Sequence, residues 1–172
     1  MPGARLVVAR DEVDAAFGRL LASVQPLVTG DQCVLLGVLL GGLVPLARLA
    51  NGLNGDFVLD TCRVGRYGDA TRGGELRVLA EPVADLRDRH VIVVDDIYDE
   101  GLTLDYLVRN CRRAGARQVT TVVLVRKRHD RELAGVPPDL VGLEVGDDFV
   151  FGCGMDYRGR WRHLREIWAV ES

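Results

Sequence analysis

Short runs of consecutive apolar residues alternate along the chain with longer stretches where apolar residues recur every third or fourth position. The first such stretch is 11–25, with Val13, Phe17, Leu20, Leu21 and Val24 on one face. It predicts a helix with Asp11 as its cap and Pro26 as its stop. Residues 34–38 are an apolar run leading to Gly41 and Gly42, the pattern of a buried strand and a tight loop. A helix is then predicted over 42–53, with Pro45 tolerated in its first turn. Residues 57–64 predict a strand. The segment 65–75, GRYGDATRGGE, holds four glycines and charges of both signs and predicts a mobile loop. A buried strand follows over 91–94. The next helix, 102–114, has Leu104, Leu107, Val108, Cys111 and Ala114 at helical spacing and Gly115 as its stop. Residues 119–125 are β-branched and apolar, and short strands near 140–145 and 149–153 follow with no helix between them. Such alternation predicts one α/β domain over 1–172, with a largely parallel central sheet flanked by helices and a small C-terminal hood over about 127–172. Ligands of such sheets bind beyond the carboxyl ends of the strands, so chemistry is sought there.

Composition narrows the partners. The 172 residues are 48% hydrophobic and 27% charged, which is globular usage. Twenty-two Lys+Arg against twenty-five Asp+Glu give a formal charge of −3, so nucleic acid is not expected as a partner. The cluster RGRWRHLR at 158–165 is nevertheless a local basic patch. The longest apolar stretch, 34–40, is too short to span a bilayer, and the N-terminus lacks the apolar core of a signal peptide. Cys33, Cys62, Cys111 and Cys153 form no C-x-x-C pair, and no His is spaced with them for zinc. Buried reduced thiols and a cytoplasmic address are expected.

The segment VIVVDDIYDEGLTL, 91–104, carries the chemistry. Four apolar residues run into Asp95 and Asp96, then Asp99, Glu100, Gly101 and Thr103, and then a helix. Four carboxylates within six residues repel one another, and a divalent cation or polyol hydroxyls would offset that repulsion. The Gly101 turn at a helix start favours an anion. A ligand bearing both hydroxyls and phosphate satisfies both features; an acidic solvated turn is the bland alternative.

This segment resembles the signature of the type I phosphoribosyltransferases, which bind 5-phosphoribosyl-1-pyrophosphate (PRPP) through a strand, an acidic pair and a phosphate-holding turn. The resemblance implies that Asp95 and Asp96 face the ribose hydroxyls and a magnesium shell, and that Asp99, Glu100, Gly101, Leu102 and Thr103 wrap the 5-phosphate. It makes Asp99 the catalytic base. Many members have Thr where this chain has Glu100, and Leu102 replaces a polar residue often seen there. The run GVLLGGLVPLARLA, 37–50, is similar to the pyrophosphate loop of the hypoxanthine-guanine branch, with Leu40 where a lysine is common. By that resemblance Leu39, Leu40 and Gly41 meet pyrophosphate, and a cis peptide falls between Leu39 and Leu40. The stretch DDFVFGCGMDYRGRWRHL, 147–164, resembles the purine-binding segment of 6-oxopurine salvage enzymes. It implies that Lys127 donates to the purine O6, Phe149 stacks on the ring and the Val150 backbone meets the base edge. Asp156 would hold magnesium and Arg162 would reach pyrophosphate. Arg66 and Tyr67 stand where relatives carry Ser-Tyr on a lid, and Arg63 is a candidate pyrophosphate contact.

The expected activity is therefore transfer of the phosphoribosyl group of PRPP to hypoxanthine or guanine, with Mg²⁺ as cofactor, in a homodimer or homotetramer. A xanthine- or hypoxanthine-restricted transferase stays open, as does a PRPP- or nucleotide-sensing regulator of the same fold. A receiver-like signalling domain is remote, because its acidic pair would lie near the chain start. The C-terminal Trp168, Ala169 and Val170 fit either a subunit interface or a cover for the chain's own core.

Overall fold

The computed structural model describes residues 3–28, 30–66, 76–131, 135 and 137–170. Its elements run β1 (Ala4–Val8), α1 (Arg10–Val24), β2 (Cys33–Leu39), α2 (Leu43–Gly52), β3 (Val58–Arg66), β4 (Leu76–Ala80) and β5 (His90–Tyr98). There follow α3 (Leu102–Arg113), β6 (Gln118–Lys127), β7 (Leu140–Val145), β8 (Val150–Phe151) and β9 (Ile167–Val170). Six strands form the central sheet in the order β4-β3-β2-β5-β6-β7, all parallel except β4. The inner strands are apolar on both faces, because helices cover both. Leu35, Ile92, Val94, Val122 and Leu124 pack toward α1 and α2, while Val34, Leu36, Val91, Val93 and Val123 pack toward α3. The chain winds outward from the middle in both directions, β2 to β3 through α2 and β5 to β6 through α3. Strand order therefore reverses between β2 and β5, and a crevice opens beyond their carboxyl ends.

Several sequence expectations are corrected. Asp11 lies inside the first turn of α1; the helix starts from Ala9, whose main-chain N–H donates to Glu12 Oε2 at 3.1 Å. Strand β3 continues through Gly65 and Arg66, so the loop expected over 65–75 starts later, and 67–75 lie outside the described residues. Strand β5 reaches Tyr98, so Asp95 and Asp96 are strand residues, with Asp95 opposite Val123 on β6. Strand β7 joins the central sheet beside β6 and is not part of an appendage. The hood is a separate three-stranded antiparallel sheet in the order β1-β9-β8, so its far strand comes from the N-terminus and lies outside 127–172. Strand β8 is shorter than 149–153, since Gly152, Cys153 and Gly154 turn away with positive φ. Ile167 and Ala169 are fully buried against the core of α1 and α2, so the C-terminal strand covers the chain's own interior. All four cysteines are buried. No described helix is long and apolar enough to cross a membrane.

Candidate active site

Three segments converge at the crevice: the loop after β2, the end of β5 with its following turn, and the hood. A Cβ built on Gly41 would fall on the Asp96 carboxylate, and one built on Gly154 would fall on the Gly41 carbonyl. Loop, acidic strand end and hood thus meet with no room for a side chain between them. The Leu39–Leu40 peptide is cis, as the resemblance implied, and Leu40 is half exposed.

Asp95 and Asp96 are each 9% exposed. Asp96 N–H donates to Asp95 Oδ1 at 2.9 Å and Ile97 N–H donates to Asp96 Oδ1 at 2.8 Å. Burial, and then the neighbouring Asp96 charge, pushes the Asp95 carboxyl well above the usual carboxylate range. Burial also raises Asp96, against the opposing hydrogen bonds from Asp95 and Ile97 and the charge of Arg162. Two buried carboxylates at a strand end hold charge poorly without a cation.

Beyond β5 the chain turns through Asp99 and Glu100 to Gly101, whose φ of 82° caps α3 in the left-handed region that glycine tolerates. The turn 99–103 lines a cavity of about 470 Å³ together with Asp95, Ile97, Tyr98, Leu104, Val123 and Phe149. The start of α3 borders that cavity, which suits an anion. Leu102 is 39% exposed and its side chain offers no donor, so the main-chain N–H groups and Thr103 are the polar groups available there. A more apolar cavity of about 250 Å³ lies on the α3 side of the sheet, lined by Cys62, Leu107 and Cys111 among others. It contains none of the clustered carboxylates of the 95–100 segment.

Lys127 is the last residue of β6, beside β5. Its Nζ lies 3.3 Å from Asp99 Oδ2, and its side chain is 11% exposed. Asp99 Oδ1 also accepts from Arg131 Nη2 at 2.5 Å, and His129 Nε2 hydrogen-bonds the Asp99 main-chain carbonyl at 3.3 Å. Burial alone would raise the Asp99 carboxyl; the Arg131 hydrogen bond and the Lys127 charge outweigh it and hold the group below its ordinary value. Arg131 is held in turn by Asp147 at 2.5 Å and lies 3.6 Å from Glu100. That contact places a cation beside the Glu100 carboxylate.

Phe149 is 56% exposed, unusual for an aromatic ring, and packs edge-on against Tyr157 at 5.7 Å. Val150 is buried in β8, an edge strand of the hood sheet. Arg162 donates through Nη1 to the Gly154 carbonyl at 2.6 Å and through Nη2 to Asp156 Oδ1 at 2.5 Å. Asp156 Oδ2 accepts from Gly159 N–H at 2.7 Å. Both oxygens of Asp156 are therefore engaged within the hood. Among the described residues no three His, Cys, Asp or Glu side chains gather as a metal-holding group. Arg63 is exposed, within β3 and opposite Leu39 at the end of β2. Arg66 ends β3; its side chain and Tyr67 lie outside the described residues. Sequence reading missed His129, Arg131 and Asp147. The run RKRHDR at 126–131 carried the signal, as a second basic cluster placed directly after a strand.

Residues 10–158 match the family model for the phosphoribosyl transferase domain. The chain belongs to the phosphoribosyltransferase family. Its similarity lies with the hypoxanthine-guanine branch. It is 31% identical over 168 residues to the hypoxanthine-guanine phosphoribosyltransferase of Bacillus subtilis, covering 97% of this chain and 93% of that one. It is 33% identical over 144 residues to the enzyme of that name from Mycobacterium tuberculosis, covering 83% of this chain and 71% of that one. Among solved structures, the hypoxanthine phosphoribosyltransferase of Trypanosoma cruzi in complex with IMP superposes with a TM-score of 0.86 at 26% identity, covering 100% of this chain and 96% of that one. The turn 99–103 of this phosphoribosyltransferase thus stands where the family signature was read.

Proposed function

We propose that this phosphoribosyltransferase moves the 5-phosphoribosyl group of PRPP to hypoxanthine or guanine, giving IMP or GMP and pyrophosphate. The observation that carries the reading is the pairing of Lys127 Nζ with Asp99 Oδ2, 3.3 Å apart at the ends of adjacent strands. One is a donor and the other an acceptor, matching the C6 carbonyl and the N7–H that share one edge of a 6-oxopurine. Adenine presents an amino group to that lysine, a donor facing a donor. Phe149, exposed at the rim of the same cavity, supplies a face on which the ring stacks. In the transfer, N9 of the base bonds to the sugar C1 as the bond from C1 to the pyrophosphate oxygen breaks, and the N7 proton passes to Asp99. The main-chain donors of the 100–103 turn hold the 5-phosphate, and Arg162 and Arg63 face the leaving group together with the loop 39–41.

The all-oxygen donor set of Asp95 and Asp96, buried and short of positive charge, fits Mg²⁺, which takes one or two protein carboxylates and completes its shell from substrate and water. Bound there, the ion would neutralise charge on ribose and pyrophosphate oxygens. A homodimer or homotetramer is part of the proposal, supported by the exposed Leu40, Leu43, Leu59 and Leu79, and light scattering tests it. A cytoplasmic address is part of the proposal, supported by the burial of the four cysteines.

The test is pyrophosphate release from PRPP and Mg²⁺ with hypoxanthine, guanine, xanthine and adenine in turn. Turnover of the first two, lost in Asp99→Asn, is expected. Turnover of xanthine alone or hypoxanthine alone would narrow the substrate. Tight nucleotide binding without turnover would favour a sensor.

A further inference from the structure

The donors around Asp99 are unevenly shared between its two oxygens. Oδ1 accepts from Arg131 Nη2 at 2.5 Å, whereas among the described residues Oδ2 has Lys127 Nζ alone, at 3.3 Å. The His129 ring stands 2.9 Å from Oδ1 and hydrogen-bonds through Nε2 to the Asp99 main-chain carbonyl at 3.3 Å, so Oδ1 is the held oxygen and Oδ2 the freer one. His129 is fixed from both sides. The main-chain N–H of Arg131 donates to Nδ1 at 3.2 Å, so in the neutral ring the proton sits on Nε2 and points at Asp99. Only 3% of the His129 side chain is exposed, which leaves the ring no other orientation to adopt cheaply. Arg131 is braced against Asp147 through both terminal nitrogens, at 2.5 and 2.7 Å, and its Nε stands 3.6 Å from Glu100.

Building on the transferase reading above, we infer that His129 and Arg131 are positioning residues, His129 holding the Asp99 main chain and Arg131 occupying Oδ1, and so reserve Oδ2 for the proton of the incoming base, while Arg131 holds the Glu100 carboxylate off the phosphate turn. When the base enters, Lys127 turns from Asp99 to the purine O6 and Oδ2 is left open. As N9 bonds to the sugar C1 and the pyrophosphate leaves, the N7 proton moves to Oδ2. The resulting neutral acid still accepts the Arg131 hydrogen bond at Oδ1 and keeps the His129 hydrogen bond to its main-chain carbonyl, so it does not rotate. The groups facing Asp99 are Lys127, His129 and Arg131, with Glu100 and Asp147 behind the guanidinium. Arg131 and Lys127 lower the Asp99 carboxyl, so removing the guanidinium raises it.

The test separates position from packing. His129→Leu lowers kcat by about tenfold or more, a share of what general-base catalysis supplies, and leaves KM for PRPP within about twofold. His129→Gln keeps an N–H at the place of Nε2 and restores most of kcat. Arg131→Met moves the acid limb of the kcat profile to higher pH and raises KM for PRPP; Glu100→Gln added to it restores KM alone. A His129→Leu enzyme with unchanged kcat, equal losses in the Leu and Gln variants, or an unmoved acid limb in Arg131→Met overturns the inference. The ¹⁵N spectrum of the unliganded protein's imidazoles stands apart from turnover: the Nε2–H tautomer of His129 is expected, with its signal displaced in Asp99→Ala. A wild-type protein that turns over no base refutes the transferase reading. The wrong tautomer, or a signal unmoved in Asp99→Ala, overturns the positioning role whatever the activity.

Discussion

Replacing Phe149 with Ala separates binding from folding more cleanly than any other change at this site. The ring is 56% exposed, and its described ring partner is Tyr157, edge-on at 5.7 Å. With somewhat under half of the residue covered, the apolar area lost is about 70–90 Å², or about 2 kcal/mol as an upper bound at 25 cal/mol per Å². In a chain of this size that lowers the melting temperature by at most about 4–8 °C. Stacking of a base on an aromatic ring is worth about 1–3 kcal/mol, which predicts a rise of about 5- to 150-fold in KM for hypoxanthine. PRPP does not use the ring, so its KM stays within about twofold. Phe149→Tyr keeps the π face and returns the base KM to near its starting value. Steady-state kinetics with each substrate varied in turn, alongside thermal melts, give all of these quantities. If KM for hypoxanthine stays unchanged, or KM for PRPP climbs in parallel, Phe149 is a hood packing residue and the base lies elsewhere.

Lys127→Met removes the donor to the 6-oxo group; kcat/KM for hypoxanthine falls by about 10- to 100-fold, while the low rate with adenine does not, which a side-by-side assay of the two bases measures. Gly41→Ala forces a methyl onto the Asp96 carboxylate, so transfer is lost and the loss survives saturating PRPP, checked by pyrophosphate release. Asp95→Asn relieves a buried charge that Asp96 opposes, and raises the melting temperature at pH 7 while weakening Mg²⁺-dependent PRPP binding, seen by melts with and without ligand. His90 is buried against Thr120 at 2.8 Å, and burial, then Arg117, lowers its ring. The unfolded chain takes that proton more readily, so stability is full above the ordinary value of 6.5 and is lost as pH falls through it toward the folded value; denaturant melts from pH 8 to 5 show the slope, and His90→Gln removes it.

The inner strands and the three helices were legible because their apolar periodicity is a property of the residues themselves. Strands β1 and β9 were not, because each is a short edge segment whose identity comes from pairing across the chain, as in Leu6 opposite Trp168. No local pattern announces a partner more than 160 residues away. Strand β4 was hidden for the same reason, its partner being β3 and its exposed Leu79 giving no inward face. The acidic segment 95–103 was legible because like charges packed that closely have few structural uses. The roles drawn for Lys127, Phe149 and Arg162 needed the family pattern, since a lone basic or aromatic residue carries no spatial information. His129, Arg131 and Asp147 escaped notice because they join Asp99 only after β6 has been laid beside β5.

The two departures from the family pattern, Leu40 and Glu100, both make the site more negative, one by omitting a cation and the other by adding an anion. Their compensation is local and unequal. Beside Glu100 the guanidinium of Arg131 stands 3.6 Å away, but it is shared with Asp99 and Asp147, so three carboxylates draw on one cation. A half-exposed pair of that kind contributes little stability, and its value lies in fixing where the carboxylates point. Beside Leu40 no such single partner stands among the described residues: the cations placed there by topology are Arg63, opposite Leu39, and Arg162, whose charge already acts on Asp96. Arg162 is spoken for by Asp156 and the Gly154 carbonyl. Binding a leaving group of high negative charge therefore falls more heavily on main-chain donors and on the cation that Asp95 and Asp96 are built to hold. PRPP affinity in this chain should accordingly depend on magnesium more steeply than in relatives that keep the lysine, and restoring it by Leu40→Lys should relax that dependence without altering the choice of base.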